Sequence, residues 1–168
     1  GALAPRPVAP VLALLGLLAV AVVPAVAQPS GAPLAARRAS GPIELDGRLV
    51  EADWHAAEVA SGFLQRDPDQ GEPATEPTEL RLLFDDHALY VGARLRDSEP
   101  SRVARQLSRR DALAEADTFT LYLDPHRDRR TGVVLQVSAA GVQRDAAIYD
   151  DNFEDDTWDG VWESAVAV

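Results

Sequence analysis

The chain has 168 residues, 46% of them hydrophobic, and this predicts a single folded domain with its own core. Its 27 acidic residues outnumber 16 basic ones, and the formal net charge of -11 argues against nucleic acid or an anionic membrane surface as partner. The absence of cysteine excludes disulfides, thiol nucleophiles and zinc–cysteine sites.

Residues 1–27 have the layout of a secretory signal peptide. Arg6 supplies a positive charge, residues 11–23 form an uncharged apolar run, and a small-x-small cleavage motif ends at Ala27. The apolar run is too short for a bilayer span, which needs about 20 residues. We therefore expect an exported protein, either secreted, periplasmic or at the outer membrane.

Residues 28–41 are rich in Pro, Ala, Gly and Ser without periodicity, which predicts a flexible linker. The folded domain is then expected over residues 42–168. Because position 1 is Gly rather than Met, and an apolar-rich stretch runs up to Val168, we expect a longer parent protein. Its C-terminal region, with the last strands of this domain, would be missing here.

Apolar and polar residues alternate through most of the domain, a spacing typical of β-strands. The alternating segments are TELRLLF, ALYVGARLRD, TFTLYLD, GVVLQVSA and VQRDAAIYD, which begin at residues 78, 88, 118, 132 and 142. Residues 43–45 are expected to form a first strand and residues 161–168 a last one. Polar turns separate the segments and no long helix is indicated. The predicted fold is all-β, an antiparallel β-sandwich of jelly-roll type.

The alternation also predicts the side chains of the core. They are Leu82, Val91, Phe119, Leu121 and Leu135. Two stretches have helical spacing instead, residues 51–59, where Trp54 and Ala57 share a face, and residues 101–107. Trp54 is expected to be buried, as a plug over the open end of the sandwich.

The ordered series of motifs resembles the carbohydrate-binding module family 9-like domains. The matching stretches include IELDGRLVEADWHAA from residue 43, SRRD from residue 108, DTFTLYLDPHRDRRTG from residue 117 and WDGVWESAVAV from residue 158. The resemblance implies a sandwich of two antiparallel sheets, structural calcium in some members and glycan binding. It also implies attachment to larger secreted proteins, often ones linked to glycan breakdown.

Residues suited to sugar recognition occur in two of these motifs. Sugar rings stack on aromatic side chains, and vicinal hydroxyls pair with carboxylates or guanidinium groups. The aromatic side chains could instead pack at the edge of the sandwich, and the charged ones could form a solvated cluster. The candidate ligand-binding residues are Trp158, Trp162, Arg109, Arg110, Asp111 and Asp159.

Two acidic loops are candidate calcium sites, because crowded carboxylates repel one another unless a cation binds or water screens them. The candidate ligands are Asp124, Asp128, Asp151 and Asp155, and a solvated loop is the alternative. Haem is not expected, because the chain has no methionine and its three histidines are far apart in the sequence. A nucleotide is not expected either, because no phosphate-binding glycine loop is present.

The function predicted from these features is that of a non-catalytic carbohydrate-binding domain in a larger secreted protein. Its partners would be a polysaccharide or oligosaccharide and the missing C-terminal region of the parent chain. The alternative is a structural or docking domain of an outer-membrane protein without a glycan ligand. A glycoside hydrolase is a further alternative, although no pair of carboxylates is singled out as acid and base. Hydrolysis of O-glycosyl compounds would then belong to the parent protein.

We predict that signal peptidase cleaves after Ala27, so that the exported protein starts at Gln28. N-terminal sequencing of protein exported from a cell that expresses the chain with an added initiator methionine tests this. An Ala27→Arg variant should remain uncleaved, because the position before the cut requires a small side chain. Exported protein that began upstream of residue 20 would contradict the assignment.

Overall fold

The computed structural model describes residues 33–112, 115–150 and 153–168. The predicted signal peptide, the first part of the predicted linker and Asp151 lie outside these ranges. The described residues form seven strands in two sheets with one short α-helix, so the fold is all-β as predicted. In the same ranges, no helix has the length and apolar character that a membrane crossing requires.

The strands are β1 Arg37–Arg38, β2 Thr78–Phe84, β3 Leu89–Leu95, β4 Thr118–Leu123, β5 Gly132–Ser138, β6 Gln143–Tyr149 and β7 Phe153–Asp155. Helix α1 spans Ala52–Ala56, and a 3-10 helix spans Pro100–Arg102. One sheet has the order β1-β2-β3 and the other β4-β5-β6-β7. Strand β1 runs parallel to β2, which departs from the predicted purely antiparallel pairing, and the other neighbouring strands are antiparallel.

The five alternating segments in the middle of the sequence all form strands, but three other elements differ from expectation. Neither residues 43–45 nor residues 161–168 form a strand. The helical spacing of residues 101–107 produces only the short 3-10 helix. The helix does not continue, because Ala104 is hydrogen-bonded to Asp117 instead. The Ala104 N–H donates to the Asp117 carboxylate at 2.9 Å, and the Asp117 N–H donates to the Ala104 carbonyl at 3.1 Å.

The last residues of the predicted linker, from β1 onward, are hydrogen-bonded to the folded domain. The Ala39 N–H donates to the Phe84 carbonyl at 2.9 Å, directly after β1. The backbone N–H and the hydroxyl of Ser40 both donate to the Asp53 carboxylate, at 2.9–3.0 Å. These bonds lower the pKa of Asp53. The ordered domain therefore includes β1 and does not start at residue 42.

Trp54 lies against one face of the first sheet rather than over the open end of a sandwich. It forms a buried cluster with Ala57 and Leu83, as the helical spacing of residues 51–59 predicts. Gly92 makes the close approach feasible, because a Cβ at this position would lie 2.7 Å from the indole ring. Trp54 therefore covers the face of β2 and β3 to which Leu83 and Gly92 belong.

The predicted core positions are only partly buried. They are Leu82, Val91, Phe119, Leu121 and Leu135. Among the described residues, the fully buried apolar side chains are at alternate positions, namely Leu83 in β2, Val134 in β5 and Ala146 in β6. In the first sheet the reason is Trp54, which covers the Leu83 face, whereas Leu82 and Val91 point to the opposite face. Alternation alone could not show which face the helix covers.

We predict that Leu83→Ala lowers the free energy of unfolding by about 2–5 kcal/mol, because a fully buried leucine leaves a cavity. Leu89→Ala is the matched control, since Leu89 is 49% exposed on the other face of the same sheet, and its cost should stay below about 1 kcal/mol. Urea unfolding measures both values. Similar losses for the two variants would show that Trp54 does not cover the Leu83 face.

Candidate functional site

Three segments that are distant in the sequence meet at the side chain of Arg110. Its Nη2 lies 2.8 Å from Oδ1 of Asp145 and 2.8 Å from Oδ1 of Asp159. Its Nε lies 3.6 Å from the neighbouring Asp111 carboxylate. We call these four residues and Trp158 the Arg110 cluster. It joins the segment before β4, the middle of β6 and the chain that follows β7.

Asp145 is the buried centre of this cluster. Its side chain has no solvent exposure and lies opposite Leu135 on the sheet. One carboxylate oxygen accepts from Arg110, and the other accepts from the backbone N–H of Gly160. A buried carboxylate is costly without such partners. The position of Arg110 and the path of residues 158–160 are therefore fixed by one charged side chain of β6.

Both terminal nitrogens of the Arg110 guanidinium are engaged by the protein. Its Nη1 donates to Oε1 of Gln143 at 3.0 Å, in addition to the carboxylate contacts of Nη2. Desolvation alone would lower the pKa of Arg110, but the charges of Asp145 and Asp159 outweigh it and raise the pKa. Arg110 therefore serves to position the carboxylates, and its terminal nitrogens already have partners within the protein.

A tight turn brings Trp158 and Asp159 to Arg110. Asp155 accepts from the N–H of Thr157 at 2.9 Å, and its carbonyl accepts from the N–H of Trp158 at 3.3 Å. The indole of Trp158 then folds over Gly160, where a Cβ would lie 2.6 Å from the ring. Trp158 is half-buried as a result, whereas the side chain of Asp159 is 84% exposed.

The structure brings together four of the six predicted ligand-binding residues, namely Arg110, Asp111, Trp158 and Asp159. Arg109 is exposed in the adjoining turn, where its carbonyl accepts from the N–H of Ala112. Trp162 is half-buried, and its Nε1 is buried without a hydrogen-bond partner among the described residues.

Sequence reasoning missed Asp145, Gln143 and Gly160. A signal was present for Asp145, because it occupies a strand position that alternates with Arg144 and Ala146 and shares a face with Leu135. An acidic residue on a face expected to be covered requires a cationic partner. For Gln143 and Gly160 the sequence held no such signal, because their contacts depend on how Arg110 and the chain after β7 pack against β6.

The loop between β4 and β5 contains two of the predicted calcium ligands, and the backbone already occupies both. Asp128 accepts from the N–H groups of Arg130 and Thr131 at 2.8 Å and from the Thr131 hydroxyl at 2.7 Å. These bonds lower the pKa of Asp128 to about 2. Asp124 accepts from the N–H of Arg129 at 2.9 Å.

Strand β7 forms part of the second predicted calcium loop. The guanidinium of Arg144 pairs with carboxylates in and directly after this strand. Arg144 donates to Glu154 at 2.7 Å and also to Asp156. Asp155 accepts from Thr157, which lowers the pKa of Asp155. Across residues 33–112, 115–150 and 153–168, no group of three or more His, Cys, Asp or Glu side chains is placed to hold a metal ion. Calcium binding stays a prediction.

Several carboxyl groups of the protein are held in their ionised form by hydrogen bonds. Among the carboxyl groups of the described residues, the pKa shifts are downward, and they affect Asp53, Glu79, Asp85, Asp128 and Asp155. A glycosidase needs one carboxyl group with a raised pKa to protonate the leaving group. The ionised groups found here can accept hydrogen bonds from hydroxyls.

Comparison with family models, with curated proteins and with solved structures finds no match for this chain.

We predict that Arg110→Ala lowers the melting temperature by roughly 10 °C, because it leaves the Asp145 carboxylate buried without its cation. Asp159→Ala is the control, and it should change the melting temperature little because Asp159 is exposed. The double variant Arg110→Ala/Asp145→Ala should regain part of the loss. Calorimetry measures all three variants, and equal effects of the two single changes would contradict a buried ion pair.

Proposed function

We propose that this domain is a non-catalytic carbohydrate-binding domain whose ligand contacts the Arg110 cluster. The observation that carries the proposal is the position of Asp159. Arg110 holds one of its carboxylate oxygens at 2.8 Å, while the side chain stays 84% exposed beside Trp158. A charged acceptor that the fold holds in place at the surface, next to an aromatic ring, suits the recognition of a sugar.

The two contacts act on different parts of a sugar. The exposed part of the Trp158 ring offers an apolar surface for the C–H face of a pyranose. The second oxygen of Asp159, which has no hydrogen bond from the described residues, can accept from a hydroxyl. Because Arg110 is engaged by the protein, it contributes by holding Asp159 still, which reduces the entropy lost on binding.

The resemblance of the sequence to the carbohydrate-binding module family 9-like domains supports the same proposal. It adds that the ligand is a polysaccharide or oligosaccharide and that the domain serves a larger exported protein linked to glycan breakdown.

A docking domain is the second candidate, and one observation favours it. Strand β3 carries Leu89 and Leu95 on one face, and these side chains are 49% and 54% exposed. Exposed apolar side chains on one strand face are typical of surfaces that another part of a protein covers. The same face includes Leu82 and Val91, which are only partly buried.

We predict that Asp159→Asn weakens binding of a neutral oligosaccharide about tenfold, because it replaces a charged acceptor by a weaker one. Trp158→Ala should weaken binding at least as much. Glu163→Gln is the matched control, because Glu163 is also exposed and lies outside the Arg110 cluster. A glycan array selects the oligosaccharide, and isothermal titration calorimetry measures the affinity of each variant.

Unfolding curves of the same variants separate loss of a contact from loss of the fold. Asp159→Asn should unfold at the same urea concentration as the chain without substitutions, since the side chain is exposed. An unchanged affinity in both Asp159→Asn and Trp158→Ala would refute the site. If the chain without substitutions binds no glycan on the array, the docking candidate replaces the proposal.

A further inference from the structure

A concave surface lies where β4 ends and β5 begins, and it shares no residue with the Arg110 cluster. It has a volume of about 200 Å³, and Tyr122, Ile148, Arg129 and Arg130 contribute to its lining. Gly132 also lines it, and a larger residue does not fit at this position, because a Cβ there would lie 2.6 Å from the Leu123 carbonyl oxygen. We call this surface the Tyr122 pocket.

Strand pairing places the apolar part of the pocket on one face of the sheet. Tyr122 pairs with Val134, and Ile148 pairs with Gly132, two residues before Val134 on β5. Both side chains therefore point to the same side, with Gly132 between their strands. The side chain of Tyr122 is large and the residue is 62% exposed, so its ring offers an aromatic surface to a ligand.

One carboxylate, that of Asp124, also lines the pocket beside the two arginines. Asp124 and Asp128 both accept hydrogen bonds from backbone N–H groups of the loop. Asp128 is held ionised by these bonds, with its pKa at about 2. The carboxylates are thus used to shape the loop, and the arginines between and beyond them keep their charge for other contacts.

The two arginines of the pocket have little to bind within the protein. Among the described residues, the Arg129 side chain forms no hydrogen bond or ion pair. Arg130 has one long contact, 3.6 Å from Nη2 to the Asp150 carboxylate, and both side chains of that pair are exposed. Exposed pairs of this kind contribute little and exchange readily for a better partner.

The combination of a ring, an aliphatic wall and arginines selects for a particular kind of ligand. A guanidinium fork matches a carboxylate in two parallel hydrogen bonds. The tyrosine ring suits the C–H face of a sugar, which inorganic phosphate or sulfate would not use. The volume is below the roughly 300–1,000 Å³ of sites for drug-sized ligands, so it fits one sugar unit rather than several.

We propose that the Tyr122 pocket binds a carboxylated sugar unit, a hexuronic acid, with its carboxylate on Arg129 and Arg130 and its ring on Tyr122. This goes beyond the function proposed above, because it uses other residues and does not require the Arg110 cluster to bind a glycan. A domain with both sites would contact two different sugar units, one through hydroxyls and one through a carboxylate.

The test is titration of the full chain with glucuronic acid, with glucose as the neutral comparison, followed by NMR or calorimetry at low salt. Arg129→Gln and Tyr122→Ala should each raise the Kd for glucuronic acid about tenfold. Arg127→Gln is the matched control, since it removes the same charge from the same loop at a residue outside the pocket lining. It should change the Kd less than about twofold.

The outcomes separate this proposal from the one on the Arg110 cluster. Glucuronic acid binding that persists in Asp159→Asn but falls in Arg129→Gln supports the Tyr122 pocket, whatever neutral glycans do. Equal losses in Arg129→Gln and Arg127→Gln would overturn it, because they would indicate general attraction by charge. Glucose binding as tight as that of glucuronic acid, inorganic phosphate competing as well as the sugar acid, or no saturable binding would overturn it as well.

Discussion

The ion pair between Asp145 and Arg110 constrains the second half of the molecule. A carboxylate without solvent exposure in the middle of β6 must be matched by donors, and here they come from Arg110 and from the N–H of Gly160. Residues 158–168 form no strand, so no ladder of backbone bonds holds them. The contact with Asp145, and the bond from Gln143 to Ser164 at 3.0 Å, hold this segment to β6 instead.

Carboxylates also stabilise the turns by accepting hydrogen bonds from backbone N–H groups. Asp85 accepts from the N–H groups of His87 and Ala88 and from the hydroxyl of Tyr90, and so closes the turn between β2 and β3. Asp128 does the same before β5. Both pKa values are depressed, so each group contributes stability above its ordinary pKa that is lost as the pH falls through the folded value. For Asp128 that value is about 2, so the turn is retained well into the acidic range.

Local pattern predicted the strands well, and the parts that failed depend on distant contacts. The period-two spacing located β2 to β6, since each spans one run of alternation. It could not show that Trp54 covers Leu83 rather than Leu82, because a strand pattern specifies two faces without saying which is covered. Likewise SRRD and WDGVW identified Arg110 and Trp158, whereas Asp145, which joins them, lies in a strand between the two motifs.

The state of each arginine distinguishes residues that build a site from residues that can hold a ligand. Arg110 looked like a ligand fork in the sequence, but it already meets Gln143, Asp145 and Asp159, so a sugar would have to displace contacts that hold the fold. Arg129 lies in a loop whose acids are occupied by backbone N–H groups. A guanidinium of that kind loses nothing within the protein when an anion binds. By this criterion the ligand proposed for the Arg110 cluster would be bound through its hydroxyls by Asp159, and the anionic ligand proposed for the Tyr122 pocket would be bound by Arg129 and Arg130.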